Sequence, residues 1–383
     1  MNINELNTPC LLIDQQKMRH NIARLSTHIE GLACKIRPHV KTHKSIEITQ
    51  EIIAGGNVSG ITVSTIKEAQ HFFANGFSDI LYAVGIVPNK FAQVRALREQ
   101  GCDIKVILDS LEAAILLIDY ARQNSCWFSV LIELDVDNHR AGVNPSSDDL
   151  IEIAKALACA ANIDFLGVMT HAGGSYQCAT LDTQKALATQ ERDLAVFAAE
   201  RIRKHQIPCP VVSIGSTPTA FAIDDLSGVT EVRAGVYVLF DLVMSGLGVC
   251  NETDIAISVL GSVIGFQKQK QHVLIDAGWM AMSRDRGTSG QAVDQGYGVI
   301  CNHRGEIQSG LIIHSANQEH GIVGTRSQTL SNEQELKQLN QFNIGDVLRV
   351  LPNHACATAA QYETYYLVSG TEVLAQLHSV NGW

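Results

Sequence analysis

Two kinds of hydrophobic pattern divide the chain, and one replaces the other near residue 240. Between residues 15 and 240, short apolar runs alternate with segments whose apolar positions recur every three or four residues. Such runs predict buried strands, and the longer spacing predicts helices. The predicted strands number eight, at residues 35–41, 60–64, 80–84, 104–108, 128–136, 165–170, 211–214 and 229–236.

Each of these strands except the last is followed by a helical pattern. A doubly wound open sheet shows the same alternation, but a count of eight favours a (β/α)8 TIM barrel over residues 15–240. Barrel active sites form at the carboxyl ends of the strands. Candidate functional residues are therefore sought in the segments that follow each predicted strand.

The pattern after residue 240 is different. Strand-like runs are separated by glycine, asparagine and polar turns, and one helix is predicted at residues 332–339. Residues 241–383 therefore form a second, mainly antiparallel β domain. The N-terminal strand at residues 8–14 is expected to pair into this domain, because the barrel already has eight strands.

Composition narrows the class of protein. Of 383 residues, 46% are hydrophobic and 18% are charged, which predicts a folded globular chain with a large core. The net charge of −10 argues against a nucleic-acid partner. The chain has neither a signal pattern nor an apolar stretch long enough to span a membrane. Its 10 cysteines include no Cys-x-x-Cys pair, so we expect reduced thiols and a cytoplasmic location.

A basic stretch at the first barrel strand carries the main candidate for catalysis. Read as a strand, Arg37, His39 and Lys41 share one face, with Lys41 at the end. A lysine there can form an imine with an aldehyde. Burial and the neighbouring cations Arg37, Lys44 and Arg140 would favour the neutral amine that this reaction needs. The alternative is an ordinary surface lysine.

The ends of later strands suggest a phosphate site. Strand six ends at His171, strand seven runs into Gly215-Ser216-Thr217, and strand eight runs through Arg233 into Gly235-Val236. Glycine and hydroxyl residues in these last loops present amides and hydroxyls to an anion. They can equally be tight connections with a helix cap. A phosphate opposite a lysine suggests pyridoxal 5'-phosphate (PLP).

These motifs together resemble a known family. The runs at residues 37–44, 140–143, 215–219 and 233–237 resemble the alanine racemase-type PLP enzymes. More closely, the chain resembles the D-serine dehydratase and D-threonine aldolase family over essentially its whole length. The matching segments in the second domain are residues 276–278, 283–287, 319–321 and 352–358.

The resemblance implies a role for each candidate residue at the cofactor. It implies an imine between Lys41 and PLP, His171 stacked on the pyridine ring, and Arg233 near the ring nitrogen. Arg140 would face the phenolic oxygen or the substrate. The alternatives are a satisfied core histidine for His171 and a salt bridge to Glu231 for Arg233. The residues implied to hold the phosphate are Gly215, Ser216, Thr217, Gly235 and Val236.

A metal site is the second implication. His354 and Cys356 are two residues apart, so on an extended segment both point the same way. Imidazole and thiolate favour Zn2+ over magnesium or calcium. Two ligands are a weak motif alone, but the resemblance implies a site for zinc or another divalent cation at this position.

The expected function is a dehydratase of β-hydroxy-D-amino acids such as D-serine or D-threo-3-hydroxyaspartate, which yields a 2-oxo acid and ammonia. The alternative is a D-threonine aldolase, although aldolases of this family typically carry aspartate where this chain has Cys356. An amino acid racemase and a non-catalytic PLP-binding protein are remoter alternatives. The resemblance also implies a homodimer with shared sites. The roles of Arg284, Arg286, Glu319 and His320 are left open; a second substrate carboxylate is one candidate partner.

Overall fold

The computed structural model describes residues 1–326, 337 and 339–383. It divides into two compact units: a barrel unit of residues 23–235 with 382–383, and a β unit of residues 1–22 and 236–381. The sequence placed the corresponding boundaries at residues 15 and 240. Strand β1 (Cys10–Asp14) and part of the following helix α1 (Gln15–Gly31) therefore belong to the β unit.

The barrel unit is built on a sheet in which the strands run parallel. Among the described residues this sheet has eight strands; from the second strand onward each pairs with the next in chain order, and the last pairs with the first. A parallel bridge between His39 and Thr62 closes the ring between the first two strands. The strands are β2 (Lys35–Pro38), β3 (Ile61–Val63), β4 (Asp79–Gly85), β5 (Asp103–Leu108), β6 (Phe128–Leu134), β7 (Ile163–Thr170), β8 (Val211–Ile214) and β9 (Glu231–Ala234).

Helices connect consecutive strands, and side-chain caps fix where several of them begin. Thr65 accepts a hydrogen bond from the amide of Glu68, and Ser110 accepts one from the amide of Ala113. These bonds satisfy amides that have no partner inside the helix. The helices are α2 (Ile46–Ala54), α3 (Ile66–Ala74), α4 (Pro88–Glu99), α5 (Leu111–Gln123), α6 (Asp148–Cys159), α7 (Leu181–Lys204) and α8 (Thr217–Ala222). None of the described helices is long and apolar enough to cross a membrane.

The basic stretch does not continue as a strand to Lys41, contrary to the sequence-based expectation. Strand β2 ends at Pro38, whose partner in the ladder is Ala234. Val40–Thr42 then form a 3-10 turn, closed by the amide of His43 donating to the carbonyl of Val40. Lys41 therefore lies in the turn after the first barrel strand, not on the strand face shared by Arg37 and His39.

The β unit is a mixed sheet around a closed antiparallel ring. Its elements after β1 are α9 (Leu242–Gly246), β10 (Ile257–Gln267), β11 (His272–Ile275), α10 (Trp279–Met282), β12 (Val299–Cys301), β13 (Ile307–Ala316), β14 (Gly321–Thr325), β15 (Val347–Leu351), α11 (Ala355–Ala359), β16 (Thr364–Ser369) and β17 (Glu372–His378). Strand β1 lies antiparallel to β10 and parallel to β16. The strand order is β11-β14-β13-β12-β15-β10-β1-β16-β17, and β10 also pairs with β11, which closes the ring. The predicted helix at 332–339 falls mainly on residues outside the described part.

Candidate cofactor and metal sites

Lys41 lies beside two histidines at the carboxyl end of the barrel strands. Burial, together with the positive charge of Lys41, lowers the pKa of His171 to about 3. The same two causes hold the pKa of His39 well below its usual range. Both rings are therefore neutral at physiological pH, and the loop after β7 is within electrostatic reach of the Lys41 ammonium.

Two cations that the sequence assigned to the surroundings of Lys41 are already paired. Arg37 Nη1 lies 2.7 Å from Asp79 Oδ1, and Arg37 Nε lies 2.7 Å from Glu231 Oε2. Lys44 Nζ lies 3.8 Å from Glu68 Oε1. Carboxylates therefore offset the charge of both cations, and their effect on Lys41 remains a prediction.

His171 presents a neutral ring in a fixed orientation. Its Nδ1 lies 3.1 Å from the carbonyl oxygen of Gly215. A carbonyl oxygen only accepts, so Nδ1 carries the proton and donates, and Nε2 is left with a lone pair. A half-buried, neutral and oriented imidazole suits the flat face of an aromatic cofactor, as the resemblance implied.

Arg233 is held inside the barrel by neutral oxygens. Its Nη1 donates to Ser213 Oγ at 2.5 Å, and its Nη2 donates to the carbonyl oxygen of Thr170. Glu231, the alternative salt-bridge partner, instead accepts from Arg37 and from Ser213 Oγ, both at 2.7 Å. Burial lowers the pKa of the Arg233 guanidinium, and the negative charges of Glu231 and Glu191 oppose that shift.

The loop after β8 is shaped for a close approach of its backbone. Gly215 has φ +125°, and a Cβ there would lie 2.4 Å from the carbonyl oxygen of Arg233. The amide of Gly215 donates to Glu191 Oε1, and that of Ser216 to Thr219 Oγ1, each at 3.0 Å. Neither amide is therefore free for a phosphate, although the sequence suggested that this loop presents amides to an anion.

Thr217 is the residue of this loop that fits an anion. Its Oγ1 is buried and, within the described part of the chain, has no hydrogen-bond partner. A buried hydroxyl without a partner costs about 1–3 kcal/mol unless a ligand satisfies it. Gly235 lets the backbone after β9 pass close to the segment of His39, since a Cβ on Gly235 would lie 2.8 Å from the carbonyl oxygen of His39. Val236 begins the β unit with the turn Val236–Val238.

Arg140 is the least constrained of the predicted barrel residues. It follows β6, and its side chain is 62% exposed. Its Nη2 lies 3.8 Å from Glu133 Oε1, which is an ion pair beyond hydrogen-bond length. Its role toward the cofactor or substrate remains a prediction.

Sequence reasoning missed Glu191, which joins two loops of this site. Glu191 is fully buried on α7, and its Oε1 accepts from the amides of Ala172 and Gly215 at 3.0 Å each. One carboxylate oxygen thus fixes both the loop that follows His171 and the loop that leads to Thr217. The available signal was a glutamate between Ala188 and Ala195 on the apolar face of a helix, since buried carboxylates are rare without a structural or functional reason.

The β unit holds the predicted metal ligands in a different conformation from the one expected. His354 is the N-cap of helix α11, and Cys356 lies in its first turn, so the pair is not on an extended segment. Their side chains nevertheless interact. Burial opposes the charged form of His354, but hydrogen bonds to Asp285 and Cys356 and the negative charge of Asp241 raise its pKa to about 11.

Asp285 orients the histidine of this pair. Its Oδ2 lies 2.6 Å from His354 Nδ1, which leaves Nε2 available to a metal ion. A carboxylate behind a histidine ligand is the usual arrangement in protein metal sites. Within the described residues, no group of three or more His, Cys, Asp or Glu side chains could hold a metal. The donor set is thus an imidazole and a thiol, which fits zinc and leaves other positions to water or substrate.

Two polar residues fix the segment that carries His354. Asp241 accepts from the amides of Met244 and Ala355 at 2.9 Å each. Asn353 donates from Nδ2 to the carbonyl oxygens of Asp285 and Gly296. Asp241 is therefore occupied with backbone amides and supports the metal pair without joining it.

The four residues of the β unit to which the sequence assigned no role lie in two loops. Arg284 stacks on Trp279 at 4.9 Å, and Arg286 pairs with Asp294 at 2.7 Å. Glu319 and His320 are exposed between β13 and β14. These positions give no support to a shared role in binding a second substrate carboxylate.

Known families match both units. Residues 13–242 match the family described as "Alanine racemase, N-terminal domain", and residues 256–368 match "Putative serine dehydratase domain". The chain is 46% identical to D-threo-3-hydroxyaspartate dehydratase of Delftia sp. (strain HT23), over 99% of this chain and 98% of that protein. It is 32% identical to D-serine dehydratase of Dictyostelium discoideum, over 96% and 94%.

A solved structure agrees with these matches. The structure of D-threo-3-hydroxyaspartate dehydratase from Delftia sp. HT23 superposes with a TM-score of 0.96 at 45% identity, and covers all of both chains. The fold predicted from the sequence, a barrel of the alanine racemase type followed by a mainly antiparallel β domain, is confirmed. The chain belongs to the D-serine dehydratase family of PLP-dependent lyases.

Proposed function

We propose that this protein is a dehydratase of β-hydroxy-D-amino acids that uses PLP and a divalent metal ion, with D-threo-3-hydroxyaspartate as the first candidate substrate. The products would be a 2-oxo acid and ammonia. The observation that carries the proposal is the pairing of His354 with Cys356 in a chain 46% identical to a dehydratase of that substrate. D-Serine is the second candidate, since a D-serine dehydratase is 32% identical.

The barrel residues supply the cofactor site in this proposal. Lys41 would bind PLP covalently, His171 would stack on its ring, and Arg233 would lie near the ring nitrogen. The phosphate would be held by the Thr217 hydroxyl with Gly235 and Val236, while Gly215 and Ser216, whose amides are already bonded, would shape the turn that presents Thr217. Bound PLP would supply an electron sink for the negative charge that develops at Cα.

The β unit supplies the metal site. His354 Nε2 and Cys356 Sγ would bind Zn2+, and Asp285 would hold the imidazole in position. The metal would take up the negative charge that develops on the β-hydroxyl as it leaves. A solved relative, a cysteine-to-alanine mutant of D-threo-3-hydroxyaspartate dehydratase, is named as the metal-free form, which supports a metal in that enzyme.

Lys41 also carries the proton transfer in this proposal. Its Nζ would remove the α-proton, because the amine that attaches the cofactor becomes free next to Cα when the substrate amine takes its place. The neutral His171, fixed through Gly215, would not compete for this proton, since its pKa of about 3 makes it a poor base. Arg140 would bind the substrate or the phenolic oxygen of PLP.

Product analysis tests the reaction. The purified protein with PLP is incubated with D-threo-3-hydroxyaspartate, D-serine and D-threonine, with and without a chelator. We expect oxo acid and ammonia from the first or second substrate, and loss of activity with chelator that Zn2+ restores. Glycine and an aldehyde would identify an aldolase, and an L-amino acid would identify a racemase. No turnover would favour a PLP-binding protein.

A lysine variant tests the cofactor attachment. Lys41→Ala is expected to lose the borohydride-reducible chromophore, and Lys35→Ala, at the exposed start of the strand that precedes Lys41, is expected to keep it. A chromophore that survives in Lys41→Ala would refute the assignment.

We also propose a homodimer with shared sites, which rests on the family resemblance, and a cytoplasmic location, which rests on 10 cysteines without a Cys-x-x-Cys pair. Mixing and refolding Lys41→Ala with His354→Ala tests the shared sites. If each site takes residues from both subunits, a random mixture of dimers regains about a quarter of the wild-type activity. Sites built within one subunit would regain none.

A further inference from the structure

Two histidines outside both candidate sites converge over a glycine in the β unit. His272 opens β11 and His314 lies on β13, with β14 between these strands. A Cβ on Gly324 of β14 would lie 2.8 Å from His314 Cδ2 and 3.4 Å from His272 Cδ2. The two rings meet because the intervening strand has no side chain at this position.

The separation of their nitrogens is that of two ligands on one ion. His272 Nε2 and His314 Nε2 are 3.2 Å apart, and the ring centroids are 4.5 Å apart. Two zinc–imidazole bonds of about 2.0–2.1 Å at a tetrahedral angle separate the nitrogens by about 3.3–3.4 Å. The observed separation of 3.2 Å is therefore within about 0.1–0.2 Å of that expected for two ligands of one zinc ion.

One Nε2 donates to the other in this pair, so a cation can bind both only when that proton shifts to Nδ1 of the same ring. Burial and the charge of Lys270 lower the pKa of His272, while burial and the charge of His272 lower that of His314. Neither imidazole must lose a proton at neutral pH before it binds a cation. Both rings are only half-buried, so water can fill the remaining positions around an ion.

We propose that His272 and His314 form a second metal site, for zinc or a similar divalent transition metal ion, distinct from the His354–Cys356 pair. Imidazole selects zinc, copper and nickel over magnesium and calcium. An ion bound here joins β11 to β13 across β14. The expected consequence is a β unit that becomes more resistant to heat when the ion is bound, since a ligand of the folded state stabilises that state.

Zinc titration tests the site in a protein that lacks the other one. The background is His354→Ala/Cys356→Ala, titrated with Zn2+ against a chromophoric chelator. We expect one Zn2+ per chain, and an affinity at least about tenfold weaker when His272→Asn or His314→Asn is added, because one of two protein ligands is lost. His378→Asn, on the exposed edge strand β17, should change nothing.

Copper spectroscopy gives a readout that needs no further variant. With Cu2+ in the same background, the electron paramagnetic resonance spectrum should show two coordinated imidazole nitrogens. The proposal is overturned if the background binds no Zn2+, if neither asparagine variant weakens binding, or if the copper spectrum shows one nitrogen or none.

Discussion

At the scale of single residues, Glu191 is the residue of the cofactor site that the sequence did not reveal. Its Oε1 accepts two backbone amides, one from each of the loops that carry His171 and Thr217. Burial raises its pKa, although the two amides and Thr219 oppose that shift. Glu191 touches none of the proposed reacting groups, so it is a positioning residue for the cofactor site.

Glu191→Ala is expected to weaken PLP binding by at least about tenfold. Two buried amides would lose their acceptor, at about 1–3 kcal/mol for each unpaired group, and the two loops would no longer be held together. The measurement is the PLP dissociation constant from absorbance titration. Glu191→Gln retains an oxygen acceptor and should recover most of the affinity. Equal loss in both variants would mean that the charge matters, not the hydrogen bonds.

Asp285 gives a second residue-level prediction, at the metal pair. Asp285→Asn should lower the affinity for Zn2+ by about 10–100-fold, the usual effect of removing a carboxylate behind a histidine ligand. The readout is Zn2+ competition with a chelator in a His272→Asn background, where the second proposed site is removed. Asp294→Asn, which breaks the ion pair with Arg286 in the same region, is the matched control and should bind Zn2+ normally.

At the scale of elements, the decisive feature is the turn between β8 and α8. Gly215 has φ +125°, and a Cβ on this residue would lie only 2.4 Å from the carbonyl oxygen of Arg233. Ser216 then caps α8 by accepting from the amide of Thr219. The glycine and the cap together bring the Thr217 hydroxyl into the position proposed for the phosphate.

Two glycine variants distinguish the energetic cost of an unfavourable φ from the cost of a steric collision with the backbone at this turn. Gly215→Ala should destabilise the protein by about 3 kcal/mol or more, because a methyl group would collide with backbone as well as adopt an unfavourable φ. Gly101→Ala also has positive φ, +96°, but open space around it, and should cost only about 1–2 kcal/mol. Chemical denaturation measures both. Similar losses in the two variants would contradict the close approach.

At the scale of the whole molecule, buried neutral histidines predict an acid-sensitive barrel unit. His43 is fully buried and accepts from the amide of Ser45 through Nδ1 at 3.2 Å. Burial lowers its pKa from 6.5 to about 3. The folded state therefore binds fewer protons than the unfolded state between these values, and the stability contribution is lost as the pH falls below about 6.5.

His43→Gln should flatten the acid side of the stability curve. Without His43, the free energy of unfolding should fall less steeply with decreasing pH, by about 1.4 kcal/mol per pH unit below about pH 6.5. Urea denaturation at several pH values between 4.5 and 7.5 gives the slope for wild type and variant. Exposed His378→Gln serves as the control and should keep the wild-type slope. An unchanged slope in His43→Gln would mean that the folded barrel takes up a proton at His43.

The barrel, the β domain and the family could be predicted from the sequence because they depend on local signals. Alternating apolar runs specify strands and helices whatever their surroundings, and short motifs such as Gly215-Ser216-Thr217 carry their own turn and cap chemistry. Only the tertiary structure shows which charged and hydrogen-bonding groups already have a partner. The charge of Arg37 is neutralised by Asp79 and Glu231, which lie 42 and 194 residues away. Three other contacts also join residues far apart in the sequence: Glu191 with Gly215, Asp285 with His354, and His272 with His314. Strand pairing and helix packing create these contacts, and no periodic pattern in the sequence indicates them.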